Sequence, residues 1–217
     1  MPEPSPDLLT ALLEPHCLEV LGGFDCTGEP GFPAWARTLI LLGPREPGFW
    51  PHLKAQPEWG GPDPVDRWSR RVIGRLACDL DGKARFPFGG PPWHPFYGWA
   101  LRTGRIWESP VRVLVHDTQG LLVSMRGALI VPQALDCGAA SRPCDSCAQP
   151  CVTACPVGAL SVGGYDVAAC HAFLDQPDGA DCLAAGCRVR RACPVSQGYA
   201  RLAEQSAYHM GRFHRAG

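Results

Sequence analysis

Eight of the chain's twelve cysteines fall between Cys144 and Cys193, and two of their runs end in Cys-Pro, at Cys155-Pro156 and Cys193-Pro194. The first run reads Cys144-x2-Cys147-x3-Cys151-x3-Cys155-Pro156. Sulfur at this density organises a fold through disulfides or through metal, and the compartment decides between them. The opening residues, Met1-Pro2-Glu3-Pro4-Ser5-Pro6-Asp7, lack the basic and apolar stretches of a secretory signal, and no segment approaches the ~20 apolar residues that span a bilayer. A cytoplasmic, reducing location is therefore expected, and there dense cysteine points to metal or redox chemistry.

Gaps of two and three residues direct three sulfurs at one polynuclear group while leaving backbone N–H groups free to bond its sulfides. The run is one residue longer in its second gap than the C-x2-C-x2-C-x3-C-P spacing of the bacterial ferredoxins, which it resembles. In that pattern the cysteine before proline ligates the other cluster, and Pro156, expected at a first helical position, turns the chain away. Two [4Fe-4S] clusters follow. Cys144, Cys147, Cys151 and the distant Cys193 would hold the first; Cys155, Cys170, Cys182 and Cys187 would hold the second. Cys137 is the reserve ligand for Cys182 or Cys187.

Structural zinc is one alternative, and a single cluster with spare buried cysteines is another. Four sulfurs packed into Cys144–Cys155, with two Cys-Pro endings, suit a zinc ribbon poorly. Arg188, Arg190 and Arg191 between the last cysteines would offset cluster charge or form a solvated docking face. His171, His209 and His214 read as structural histidines.

Cysteine use also divides the chain: three residues (Cys17, Cys26, Cys78) in the first 136 and nine from Cys137 onward. The boundary is placed between Pro132 and Ser141, giving domains 1–136 and 137–217. In the first, Asp7 is expected to cap a short helix through Leu13, and Thr38-Leu-Ile-Leu-Leu-Gly43 reads as a buried strand. A helix begins after Gly60-Gly-Pro-Asp-Pro-Val-Asp66 and buries Trp68, Val72, Ile73, Leu76 and Ala77 against the sheet. Arg85 to Tyr97, dense in Pro, Gly and aromatics, suits an irregular pocket wall. Val111–Val115 and Gly120–Val131 read as two strands joined by the turn at His116–Gly120.

Cys155-Pro-Val-Gly-Ala-Leu160, with Cys170, Cys182, Cys187 and Cys193-Pro194, resembles the paired-cluster module of epoxyqueuosine reductases and corrinoid reductive dehalogenases. The segments Arg37–Pro44, Asp63–Arg75 and Val115–Pro132 resemble in order the cobalamin-processing chaperone CblC, a relative of the flavin nitroreductases. The resemblance implies an α+β chain: a nitroreductase/CblC-like α/β N-terminal domain followed by a small dicluster ferredoxin-like domain. It further implies a cobalamin or other small-molecule pocket, with Trp93, His94 and Tyr97 as its platform and His116, Arg126 and Gly127 as polar or close-approach contacts. Glu108, in Glu108-Ser109-Pro110, resembles the reductases' Asp-Ser-x-Pro and would be the proton donor.

Twenty basic against twenty-one acidic side chains leave no surplus to track phosphates, so nucleic acid is not an expected partner. No oligomeric state follows from the sequence. Three functions fit these features: a redox protein passing low-potential electrons to a corrinoid or other small molecule, a ferredoxin-type carrier serving a separate donor or acceptor protein, and tRNA modification in the manner of epoxyqueuosine reductase.

Overall fold

The computed structural model describes residues 6–215. In chain order its elements are α1 (Pro6–Leu13), β1 (Leu18–Asp25), β2 (Thr38–Pro44), α2 (Phe49–Lys54), α3 (Pro64–Asp79), β3 (Lys83–Arg85), α4 (Phe96–Arg102), β4 (Ile106–Glu108), β5 (Leu114–His116) and β6 (Gly127–Val131). They continue with β7 (Leu160–Ser161), β8 (Gly164–Tyr165), α5 (Val167–Leu174), α6 (Ala180–Ala185), α7 (Arg188–Ala192), α8 (Pro194–Gly198) and α9 (Ala203–Arg215). Helix and antiparallel sheet are mixed, which is compatible with an α+β chain. No helix among the described residues is long and apolar enough to cross a membrane.

Two compact units divide the chain, one of residues 1–106 and 124–140, the other of residues 107–123 and 141–217. The sequence boundary at 136/137 left 107–123 in the first domain; the fold assigns that segment to the second unit.

The first unit is built on a four-stranded sheet of order β1-β2-β6-β3, antiparallel throughout. Every residue of β2 and of β6 is buried, as their unbroken apolar runs require of central strands. The helix α3 packs on β3 and β6 and buries Val65, Trp68, Val72, Ile73, Leu76 and Ala77, a stripe at helical spacing. Trp68 is fully buried with its ring edge-on to Phe49 at 5.3 Å. Asp63 precedes α3 in the left-handed region and makes no side-chain cap bond; Pro64 at the first helical position starts the helix instead. Asp7 likewise lies inside the first turn of α1. Strand β1 and helix α2 have no counterpart among the expected elements.

The expected hairpin across His116–Gly120 is replaced by a different arrangement. Strand β5 pairs with β4, β6 pairs with β2 and β3, and His116 and Gly120 share only an isolated bridge. Two positive φ angles break the anticipated strands, +63° at Arg112 and +59° at Gly120. The chain passes from the second unit back to the first between Val123 and Ser124, so the two runs belong to separate cores.

The second unit has little sheet: the β4–β5 ribbon and the two-residue pair β7–β8. Its core is Val111, Val115, Leu121, Leu160 and Val189 together with Cys151 and Cys193, and partly buried Cys144, Cys155 and Cys187 pack against it. Sulfur occupies part of the space that branched aliphatic side chains fill in the first unit.

Candidate metal centre

Two cavities in the second unit bring the eight cysteines of the sequence motif together in fours. One recess is lined by Cys144, Cys147, Cys151 and Cys193. A second is lined by Cys155, Cys170, Cys182 and Cys187. These are the sets that spacing assigns, including the exchange by which Cys155 leaves its neighbours and Cys193 joins them. All twelve cysteines are free thiols.

Local backbone structure aims each run. Gln149, in the left-handed region at φ +54°, precedes a 3-10 turn over Pro150–Thr153, which carries Cys151 into the core. The Gln149 N–H donates to Cys147 Sγ at 3.3 Å. At the other end Pro194 opens α8 directly after Cys193, whose extended backbone halts α7. Pro156 behaves differently from expectation. It opens a turn closed by Gly158 N–H donating to Cys155 O at 3.2 Å, and no helix follows until α5.

Burial is the largest influence on the thiols of Cys144, Cys151, Cys170 and Cys182, and it raises all four. Neighbouring sulfurs add to this: Cys193, Cys151 and Cys147 on Cys144, and Cys187, Cys155 and Cys182 on Cys170. Four thiolates drawn around one space repel one another unless a cation-rich group lies between them, so this donor set fits soft, thiophilic metal. Among the described residues no three His, Cys, Asp or Glu side chains gather closely enough to hold a single metal ion.

Opposite charge and donors surround the sulfurs. Arg142 pulls the Cys144 thiol downward against its burial and is anchored by Nη2 donating to Glu108 O at 2.7 Å. The Arg188 backbone N–H pulls the Cys182 thiol downward against its burial. Tyr165 donates its hydroxyl to Cys170 Sγ at 3.4 Å, and burial and then Cys170 hold that phenol well above its ordinary range. The arginines near the last cysteines already have partners: Arg188 and Arg191 both bond Asp181, and Arg190 Nη1 donates to Leu121 O at 2.8 Å. Arg190 thus ties the loop after β5 to α7.

That loop is a part of the site that spacing could not reveal. Residues 116–122 lie against α8: a Cβ on Gly120 would come 3.0 Å from Cys193 Sγ, and Arg201 Nη1 donates to Leu122 O at 2.9 Å. His171, beside Cys170, stacks on Phe213 at 4.6 Å and meets His214 Nδ1 at 3.1 Å, while His214 Nε2 contacts Asp175 at 3.0 Å. Cys137 belongs to the first unit, where it packs against Gly23 and burial pushes its thiol up to about 11.

The residues expected to line a corrinoid pocket fall in both units. His116 lies in the second unit, fully buried, its Nδ1 accepting from Thr118 N–H and Gln119 N–H and its Nε2 3.0 Å from Asp117. The other five lie in the first unit. Arg126 faces Asp66 at 3.7 Å, and the space beside Gly127 is taken by Ile73 and the Arg85 carbonyl, 2.9 and 3.1 Å from where a Cβ would stand. The His94 ring stacks on Trp99 at 5.7 Å, whereas Trp93 and Tyr97 are 65% and 44% exposed. Glu108 accepts from Arg112 Nη1 at 2.7 Å as an exposed ion pair.

Compared with family models, curated proteins and solved structures, the chain matches none.

Proposed function

We propose that the chain is an iron-sulfur redox protein, with one [4Fe-4S] cluster held by Cys144, Cys147, Cys151 and Cys193 and another by Cys155, Cys170, Cys182 and Cys187. The observation that carries this reading is the lining of two separate cavities by four cysteines each. Such clusters supply low-potential one-electron transfer. The chain's own contribution is to hold eight thiols in two sets and exclude water behind Val115, Leu121, Leu160 and Val189. Arg142 and the N–H groups of Gln149 and Arg188 would temper the charge. Oxygen-free preparation followed by direct iron and sulfide assay should give about eight of each per chain. Stoichiometric zinc, or no metal, would contradict the proposal.

Delivery of the electrons to a small molecule bound by the first unit is the second reading, and exposed Trp93 and Tyr97 are what favour it. Apolar rings open to solvent suit a flat ligand such as a corrinoid. Titration of the loaded protein with cob(II)alamin, followed through the corrin bands, should then show a change that Trp93→Ala abolishes. An unperturbed spectrum would leave a carrier that serves a separate protein.

A further inference from the structure

Ser109 closes the end of β4. Its N–H donates to Val113 O at 2.9 Å and its carbonyl accepts from Arg112 N–H at 3.0 Å, so the turn satisfies both backbone groups. The side chain has no such provision. Ser109 is 3% exposed, its Oγ has no hydrogen-bond partner among the described residues, and it lines the cavity of Cys144, Cys147, Cys151 and Cys193. A buried hydroxyl without a partner is destabilising, a penalty that alanine in the same turn would avoid. Among the other lining side chains Val115, Leu121 and Val195 offer no acceptor, whereas Gln149 and the four cysteine sulfurs do.

We infer that the Ser109 hydroxyl donates a hydrogen bond to a sulfur of the iron-sulfur group held by Cys144, Cys147, Cys151 and Cys193, and thereby raises its reduction potential. The inference rests on the cluster reading proposed above. A donor to sulfur stabilises the reduced, more negative form more than the oxidised one, so its removal lowers the potential.

The full chain, prepared without oxygen, is compared with Ser109→Ala and Ser109→Thr. Iron and sulfide are counted first, and both cluster potentials are then read by redox titration in an electron paramagnetic resonance spectrometer. Ser109→Ala should keep its iron while one potential falls by a tenfold change in equilibrium, about 59 mV for one electron. Ser109→Thr, which retains the hydroxyl, should return that potential towards the wild-type value. In the wild type, pulsed resonance should show an exchangeable proton coupled to the same reduced cluster, and Ser109→Ala should lose it. Full iron with both potentials unchanged in Ser109→Ala overturns the role of the hydroxyl while the cluster reading stands; wild-type protein without iron overturns both. If a variant cannot hold its clusters, the wild-type coupling decides, and its absence refutes the bond.

Discussion

Gly120 lies directly against Cys193: a Cβ at Gly120 would stand 3.0 Å from the Cys193 sulfur and 2.5 Å from the Ser196 backbone nitrogen. With φ at +59°, this position needs glycine for its backbone and again for its surroundings. Gly120→Ala should therefore destabilise the protein by about 2–4 kcal/mol, combining left-handed strain with overpacking. It should also weaken the signal of one cluster. Gly28, at φ +70° with nothing within 4 Å of a Cβ, isolates the backbone contribution, and Gly28→Ala should cost only about 1–2 kcal/mol. Equal losses in urea unfolding would show that the contact with α8 carries no weight.

Cys137 was the sequence's reserve ligand, yet its sulfur packs against Gly23 on β1. Cys137→Ser should leave iron and sulfide at their wild-type values. Loss of half the iron would return Cys137 to the ligand set.

The first unit should respond to pH through two histidines. Burial chiefly, with Arg71 adding, lowers His52; burial, then His52 and Arg71, lowers His16. The His52 Nε2 accepts from Gln56 Nε2 at 3.3 Å, a bond that requires this nitrogen to be unprotonated. Each folded value lies below the unfolded one, so the unfolded chain takes up protons first. The stabilising contribution is present above the ordinary histidine range and is lost as pH falls through it towards the lowered folded value. Denaturant midpoints should decline from about pH 7.5 to about pH 5.5, and His52→Gln should flatten that decline. An unchanged slope would contradict the assignment.

How far the sequence carried the fold depended on whether the controlling contacts were local. Thr38–Gly43 and Trp68–Ala77 declared themselves because unbroken or 3.6-periodic apolar residues meet one sheet. The division of the eight cysteines between two recesses follows the sequence pattern, in which three sulfurs lie within eight residues and the two Cys-Pro endings mark where the chain diverges. Gly22 and Gly23 hid β1, since a glycine pair reads as a turn when its register with β2 is unknown. The strand pair read as Val111–Val115 and Gly120–Val131 failed because the chain leaves the second unit at Val123, so that β6 lies in a different core from Val111–Val115, and alternation of apolar residues does not name the partner. Arg126 and Gly127 entered as pocket contacts through the resemblance of Val115–Pro132; in the fold Asp66 faces Arg126, and Ile73 and the Arg85 carbonyl stand beside Gly127. Ser109, 35 residues before Cys144, entered the sequence reading only as the neighbour of Glu108, and its burial without a partner is what ties it to the cysteines.

The most direct test of crossed cysteine sets counts iron in double variants. Cys151→Ser with Cys193→Ser, residues far apart in sequence, should leave one cluster, about four irons per chain. Cys151→Ser with Cys155→Ser, only four positions apart, should remove both clusters and all eight irons. The reverse pattern, with the close pair sparing one cluster and the distant pair sparing none, would contradict the account.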